Sequence, residues 1–464
     1  MSENAAQSAQ QEFDILILGA GSAGYATALR AVQLGFTVGL VEKDKLGGTC
    51  LHTGCIPTKA LLHSAELADH ARDSAKYGVN VELQGIDINT VKSYKDGIIA
   101  GKYKGLQGLI KSKKGITVIE GEGKLSSQNT VTVNGVVYTG KNIVLASGSF
   151  SKTLPGLEIG GRIITSEAAL NLDFIPKSAI ILGGGVIGCE FASVWKSFGV
   201  DVTIVEGLPS LVPNEDATII KTLERSFRKR GINFSTGTFF QSAEQNDDGV
   251  KVTLVDGKTF EAEVLLVAVG RGPSTANLGY EEVGIPMDRG FVLANQRLHT
   301  GVGNIYAIGD IVPGLQLAHR GYQQGIFVAE EIAGLNPVVV EDVNIPKVTY
   351  CDPEIASVGL TQKGAEEKFG AENVQIQEYN LAGNGKSSIL GTSGLVKMVR
   401  QKDGPIVGVH MIGARMGEQI GEAQLIVNWE AYPEDVAQLV HAHPTQNESL
   451  GETALALAGK PLHG

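Results

Sequence analysis

The feature that most constrains this chain is a segment that occurs twice. Residues 13–42 read FDILILGAGSAGYATALRAVQLGFTVGLVE, and residues 177–206 read KSAIILGGGVIGCEFASVWKSFGVDVTIVE. Gly19, Gly21, Gly24, Gly35 and Glu42 recur as Gly183, Gly185, Gly188, Gly199 and Glu206, every pair offset by 164. Each copy passes from an apolar run through a glycine turn into an amphipathic stretch, a glycine and a second apolar run. That order spells strand, turn, helix and strand, a unit whose two strands lie parallel.

A single glycine fingerprint of this kind is weak, because a tight strand-to-helix turn needs no ligand. Two matched copies, each with a glutamate 18 residues after its last glycine, make a stronger case. The glycines let backbone approach a pyrophosphate, and the helix N-terminus presents unpaired N–H groups and partial positive charge. The glutamate accepts hydrogen bonds from a ribose diol. The chain is therefore expected to bind two dinucleotides on two Rossmann-like domains, in an α/β fold. At the second site Glu206 repels a 2′-phosphate, and residues 207–214, GLPSLVPN, hold no Lys or Arg to receive one. That favours NAD over NADP.

Asn134-Gly135, flanked by alternating apolar residues across 117–145, predicts a β-hairpin. Strands ending in small-residue turns are expected at 143–149, 264–270 and 304–310. From about Pro346 the pattern changes to antiparallel-looking strands, 347–360 and 394–412, with helices at 414–431 and 434–440. The expected division is a disordered tail over 1–12 and a first dinucleotide domain over 13–150. A second follows over 151–275, then the remainder of the first over 276–346, and an α+β domain over 347–464. The tail has neither an apolar core nor arginines, so it reads as neither a signal nor a transit peptide.

Composition excludes whole classes. Lys+Arg 39 against Asp+Glu 50 leaves −11, which argues against a nucleic-acid or anionic-membrane surface. No apolar run reaches the roughly 18 residues of a spanning helix. Four cysteines in 464 residues exclude a disulfide scaffold and point to a reducing compartment, the cytoplasm.

Cys50 and Cys55 stand in GGTCLHTGCIPTKALL. They read as two unrelated thiols, as half of a metal site, or as a redox pair. Zinc wants four ligands, and Cys189 and Cys351 are isolated, so no metal is expected. A redox disulfide fits better. In an unbroken helix Cα atoms five residues apart lie about 8.6 Å apart, beyond the roughly 7 Å a disulfide spans. The segment must therefore be distorted, and Gly47, Gly48, Gly54 and Pro57 allow it. Lys59, four residues after Cys55, is either a solvated cation or a fixed charge beside a thiolate; the apolar Ala-Leu-Leu after it favours the second. His443, in HAHPTQNE, is a candidate acid/base and Glu448 its orienter, although a structural histidine is equally compatible with that motif alone.

With these pieces assembled, the chain resembles the dihydrolipoyl dehydrogenases. These are the flavin-containing third components of 2-oxo acid dehydrogenase complexes, within the class I pyridine nucleotide–disulfide oxidoreductases. The resemblance covers residues 13–464, looks closest to actinobacterial members, and is most specific at GGTCLHTGCIPTK, GGGVIGCE, NIYAIGD and HAHPTQNE. It implies that FAD is held by Gly19, Gly21, Gly24, Glu42, Lys43, Thr49, Lys59, Gly123, Ser147, Gly148, Ser149 and Asp310, with Gln316, Leu317, Ala318 and His319 near the ring. NAD would be held by Gly183, Gly185, Val186, Ile187, Gly188, Glu190, Glu206 and Gly270. Cys50 would be the interchange thiol and Cys55 the thiolate against the flavin. Glu190 would pair with Lys59, and His443, oriented by Glu448, would reach Cys50 of the partner subunit in a homodimer. The sequence departs from the family at His52-Thr53, where Asn-Val is common, and at Ser147, where Thr is usual. No lipoyl domain precedes residue 13, so lipoyl groups are expected on partner proteins of 2-oxo acid dehydrogenase or glycine cleavage complexes. The nearest alternative is reduction of a low-molecular-weight disulfide such as that of glutathione or mycothiol, usually at the expense of NADP, which Glu206 opposes. Mercuric reductase is opposed by the lack of a terminal cysteine pair, and a transhydrogenase has no use for the redox pair with its His-Glu base. A non-catalytic flavin-binding or structural subunit is opposed by the intact Cys50, Cys55, His443 and Glu448.

Overall fold

A computed structural model describes residues 11–463. They form two compact units, one of residues up to 57 with 93–152 and 271–342, the other of residues 58–92, 153–270 and 343 onward.

The first copy of the repeat builds the first unit. Strand Gln11–Leu18, helix Ser22–Gln33 and strand Val38–Glu42 follow in that order. The strands lie parallel, with Leu18 opposite both Val41 and Leu145. The sheet runs Ile116–Glu120, Val38–Glu42, Gln11–Leu18, Val136–Leu145, Thr130–Val133 and Gly123–Leu125, and Ile305–Ala307 also pairs with Val136–Leu145. Side chains alternate across it as a pleated strand requires. Ile15 and Ile17 pack with Ala28, Ala31 and Phe327 on one face. Leu16 and Leu18 pack with Val131, Ile143 and Tyr280 on the other. Both faces are covered, which is why the strand reads as an unbroken apolar run.

The hairpin expected at Asn134-Gly135 is present, with Val133 opposite Val136 and both turn residues at positive φ, 49° and 81°, as a two-residue turn between twisted strands demands. Residues 116–120 are not part of it; they pair in parallel with Val38–Glu42. Gln11 and Glu12, expected in the disordered tail, belong instead to the first strand and pair with Tyr138 and Thr139. The rest of that expected tail lies outside the described residues.

The second copy builds a five-stranded parallel sheet in the second unit, ordered Asn233–Thr236, Asp201–Glu206, Ser178–Leu182, Val264–Val267 and Ile163–Thr165. The same unit carries an antiparallel three-stranded sheet over 240–262 and a five-stranded antiparallel sheet over 347–413. Three expectations in this last region need correction. The strand expected over 394–412 is two strands, Leu395–Gln401 and Ile406–Gly413. The strand expected over 347–360 is two strands, Lys347–Thr349 and Glu354–Gly359, interrupted before Pro353. The helix expected over 434–440 covers only Pro433–Val436, while Glu448–Leu457, for which the sequence offered no element, is a helix.

Candidate active site

The carboxyl ends of the first sheet converge on the first glycine turn. Gly19 has φ +101°, and a Cβ there would stand 2.3 Å from the Ala146 carbonyl oxygen. A Cβ on Gly24 would stand 1.8 Å from the Gly19 carbonyl oxygen. These two glycines are needed for packing. Gly21 is different: it N-caps the helix Ser22–Gln33, and no heavy atom comes nearer than 3.9 Å to its missing side chain. Glu42 is held by two backbone donors, Ala20 N–H to Oε2 at 2.8 Å and Asp44 N–H to Oε1 at 2.9 Å.

A cavity of about 380 Å³ opens here, within the range of sites that enclose a ligand. Gly19, Gly21, Glu42, Lys43, Thr49, Gly123, Ser147, Gly148 and Ser149 all line it. Backbone N–H groups at a helix start, a carboxylate at a strand end and a missing side chain between them suit the phosphates and ribose of a dinucleotide. Asp310 joins the rim through Ser149, whose hydroxyl donates to Oδ2 at 2.5 Å, and Gln316 donates to the Asp310 carbonyl at 3.4 Å. Leu317 N-caps the helix that begins with Ala318 and His319.

The cysteine segment forms a wall of the same cavity. Cys50 lies on a short helix, Gly48–His52, and Gly48, Thr49, His52 and Thr53 are lining residues. The expected distortion is there. Gly47 and Gly48 have positive φ, 102° and 58°, and the short helix ends at Thr53 before a new one starts at Cys55. Cys55 thus occupies a helix start, where the peptide dipoles favour a thiolate. Cys50 and Cys55 are both partly accessible, whereas Cys189 and Cys351 are fully buried, and burial pushes both buried thiols well above their ordinary range. His52 Nε2 lies 2.9 Å from the Leu46 carbonyl oxygen, and its ring meets the Tyr103 ring edge-on with centroids 5.0 Å apart.

The second unit repeats the glycine turn almost atom for atom. Gly183 has φ +112° and a Cβ position 2.3 Å from the Ala268 carbonyl oxygen; that of Gly188 is 2.0 Å from the Gly183 carbonyl oxygen. Gly185 N-caps the helix Val186–Ser197 and has open space at its missing side chain, as does Gly270. Glu206 accepts from Gly184 N–H at 2.6 Å and Leu208 N–H at 2.8 Å. Val186 is 45 % exposed beside this turn, while Ile187 packs on the hydrophobic core. Sequence reasoning missed Phe239. It is 63 % exposed, and its ring covers Gly207, whose Cβ would stand 2.6 Å from it. No spacing rule points to it; only its exposed ring against Gly207, the residue after Glu206, marks it.

Lys59 and Glu190, also in the second unit, form an ion pair with both carboxylate oxygens 2.9 Å from Nζ. Glu190 is buried and accepts from Tyr350 N–H at 3.0 Å, and Lys59 Nζ sits 4.7 Å from the Tyr350 ring centroid. Lys59 does not line the cavity of the first unit. His443 is exposed at 77 % and its Nδ1 lies 2.7 Å from Glu448 Oε1. Burial opposes charge on Glu448, but the Thr445 N–H, 2.7 Å from Oε2, and His443 outweigh it and hold its carboxyl below the ordinary range. Among the described residues no group of three or more His, Cys, Asp and Glu is placed to hold a metal, and no helix is long and apolar enough to cross a membrane.

Comparison with known proteins bears on this arrangement. Residues 13–325 match the family described as pyridine nucleotide-disulphide oxidoreductase, and residues 345–454 match its dimerisation domain. A Bacillus subtilis protein named dihydrolipoyl dehydrogenase is 40 % identical over 97 % of this chain and 99 % of its own. A mitochondrial one from Pisum sativum is 38 % identical over 98 % and 93 %. Among solved structures, a copper(II) complex of the HOCl-induced flavoprotein disulfide reductase RclA from Escherichia coli matches with TM-score 0.87 and 26 % identity, over 97 % of this chain and all of that one.

Proposed function

The chain belongs to the pyridine nucleotide-disulphide oxidoreductases, and on that premise we propose that it is an FAD-dependent dihydrolipoyl dehydrogenase reducing NAD⁺. One observation carries this reading: the helix bearing Cys50 is a wall of the cavity that the first glycine turn and Glu42 enclose. Cys50 follows the lining residue Thr49 directly, which would put its sulfur near a dinucleotide held there. The residues present suit the ADP half of FAD, and those of the second turn suit NAD, with Glu206 disfavouring a 2′-phosphate. The domain reading that goes with this assigns FAD to 13–150 with 276–346, NAD to 151–275 and dimerisation to 347–464.

The cycle begins with Cys50 and Cys55 joined as a disulfide. A substrate thiolate attacks Cys50 Sγ; the sulfur–sulfur bond breaks and Cys55 leaves as a thiolate, which the helix start at residue 55 stabilises. His443 takes the proton of the second substrate thiol, whose sulfur displaces Cys50 and closes the product disulfide. His443 then returns the proton to Cys50. Glu448 fixes the His443 ring by the bond to Nδ1, leaving Nε2 for proton transfer. FAD, when bound, supplies the two-electron relay from the cysteines to NAD⁺. Lys59, paired with Glu190, is assigned to the flavin as a fixed cation.

The dimerisation-domain match supports a homodimer. In that dimer His443 serves Cys50 of the partner subunit. Lipoyl domains of 2-oxo acid dehydrogenase or glycine cleavage complexes would deliver the substrate in the cytoplasm. The closer likeness to actinobacterial members belongs to this proposal as well; the relatives named above come from Bacillus subtilis and pea.

An anaerobic comparison tests the reading. Purified protein with NADH is offered lipoamide, glutathione disulfide and mycothiol disulfide. Fastest turnover with lipoamide is expected. Preference for either of the other two would reassign the chain to low-molecular-weight disulfide reduction.

A further inference from the structure

Glu422, on the helix Met416–Asn428, binds both ends of the segment that carries His443. Its Oε1 lies 2.7 Å from His441 Nε2, and its Oε2 accepts from the Asn447 side-chain amide. One carboxylate thus closes residues 441–447 into a loop with His443 inside it. The His441 side chain is only 12 % exposed. Its ring lies against the backbone of Gly451, where a Cβ would stand 2.6 Å from Nδ1. Gly451 is three residues beyond Glu448 on the helix Glu448–Leu457, hence on the same face. The His441 ring therefore presses on the face of the helix that presents Glu448 to His443. His443 itself is exposed and has Glu448 as its side-chain partner, so its aim is only as fixed as the loop and this helix.

We propose that the Glu422–His441 pair is a brace that positions His443. It goes beyond the reading above and rests on His443 being the acid/base. Both residues are positioning residues, acting through the loop ends and through Gly451. The charged groups around the His441 ring are Glu422 from one helix and Glu448 from the other, with the Leu439 carbonyl beside it. The hydrogen bond to Glu422 raises the ring above its ordinary histidine range. A group raised on folding stabilises the fold below its ordinary value, and that contribution is lost as pH rises through the folded one. The brace therefore loosens on the alkaline side.

The test uses the full-length protein loaded with FAD and measures two reactions. Oxidation of dihydrolipoamide by NAD⁺ needs His443; reduction of ferricyanide by NADH needs neither His443 nor the cysteines. His441→Ala and Glu422→Gln should lower kcat/KM for dihydrolipoamide by about 10- to 100-fold, the effect of an ångström-scale misplacement. The alkaline limb of the pH profile should shift, while ferricyanide turnover and flavin content remain those of the wild type. His441→Gln, which keeps a donor near the Nε2 position, should recover most of the loss. Dihydrolipoamide kinetics of Glu422→Gln and His441→Ala equal to wild type, with an unmoved pH profile, would overturn the brace. A loss shared equally by the ferricyanide reaction would do so too, since it marks general damage. His443→Gln, run alongside, separates the two ideas: if it keeps dihydrolipoamide turnover, the acid/base assignment itself has failed.

Discussion

Residues 13–42 and 177–206 fold alike and meet different surroundings. In both, a Cβ on the first glycine would stand 2.3 Å from the carbonyl oxygen just past a neighbouring strand, and the glutamate accepts from the backbone of the turn. Around the first copy, segments at 41–53, 121–123 and 146–149 close a cavity, and one of them bears Cys50. Around the second there is open space at Gly185 and Gly270, an exposed Val186 and an exposed Phe239. A partly closed cavity suits a resident group and an open turn suits one that comes and goes, so the proposal assigns a tightly held FAD to the first site and an exchanging NAD to the second. The fold supplies the cradle; the segments inserted beside it decide residence and chemistry.

The largest expected effect breaks the chemistry on one side alone. Cys50→Ser with Cys55→Ser should lower dihydrolipoamide turnover by roughly 10⁴-fold or more, as loss of a covalent nucleophile does. Flavin content should be unchanged by absorbance; its loss would mean that the cysteines hold the cofactor. Next, the two open glycines sharpen the contrast. Gly21→Ala puts a methyl into the enclosed cavity and should leave a folded protein that loses FAD on gel filtration. Gly185→Ala should retain FAD and raise KM for NAD⁺ by about 10- to 100-fold. If both variants behaved alike, enclosure would not be what separates the sites. Glu206→Ser should then narrow the preference for NAD⁺ over NADP⁺ by about 10-fold in kcat/KM, by removing a repulsion.

The smallest effect lies outside both sites. Asp14 in the first copy is bonded to Lys141 and Thr37, and the Lys141 bond above all lowers its carboxyl to about 2. The matching position in the second copy is Ser178. A depressed carboxyl contributes stability above its ordinary value of 3.8, lost as pH falls toward about 2. Solvent screening keeps that contribution below about 1 kcal/mol. Asp14→Asn should lower the melting temperature slightly near neutrality, and the difference from wild type should shrink as the pH falls below 4. A constant difference would show that Asp14 acts without its charge.

Much of this was legible in the sequence because it repeats locally. The glycine spacing and the apolar runs encode strand, turn and helix within 30 residues, and Glu42 and Glu206 fall at a set distance. The break between Cys50 and Cys55 also followed from local geometry. Long-range features left no such trace. Phe239 meets Gly207 across 32 residues and Glu422 meets His441 across 19. The helix Glu448–Leu457 went unassigned because the functional motif HAHPTQNE runs straight into it, and Gln11 and Glu12 look polar because they sit at the exposed start of a strand.

The central claim is an electron path from paired sulfurs on a cavity wall to the dinucleotide inside it. It is tested most directly by titrating purified protein anaerobically with dihydrolipoamide while recording the flavin absorbance. The account predicts a spectral change complete at one equivalent, reversed by NAD⁺ and absent in Cys50→Ser. A protein without flavin, or a flavin spectrum that responds equally well in Cys50→Ser, would contradict it.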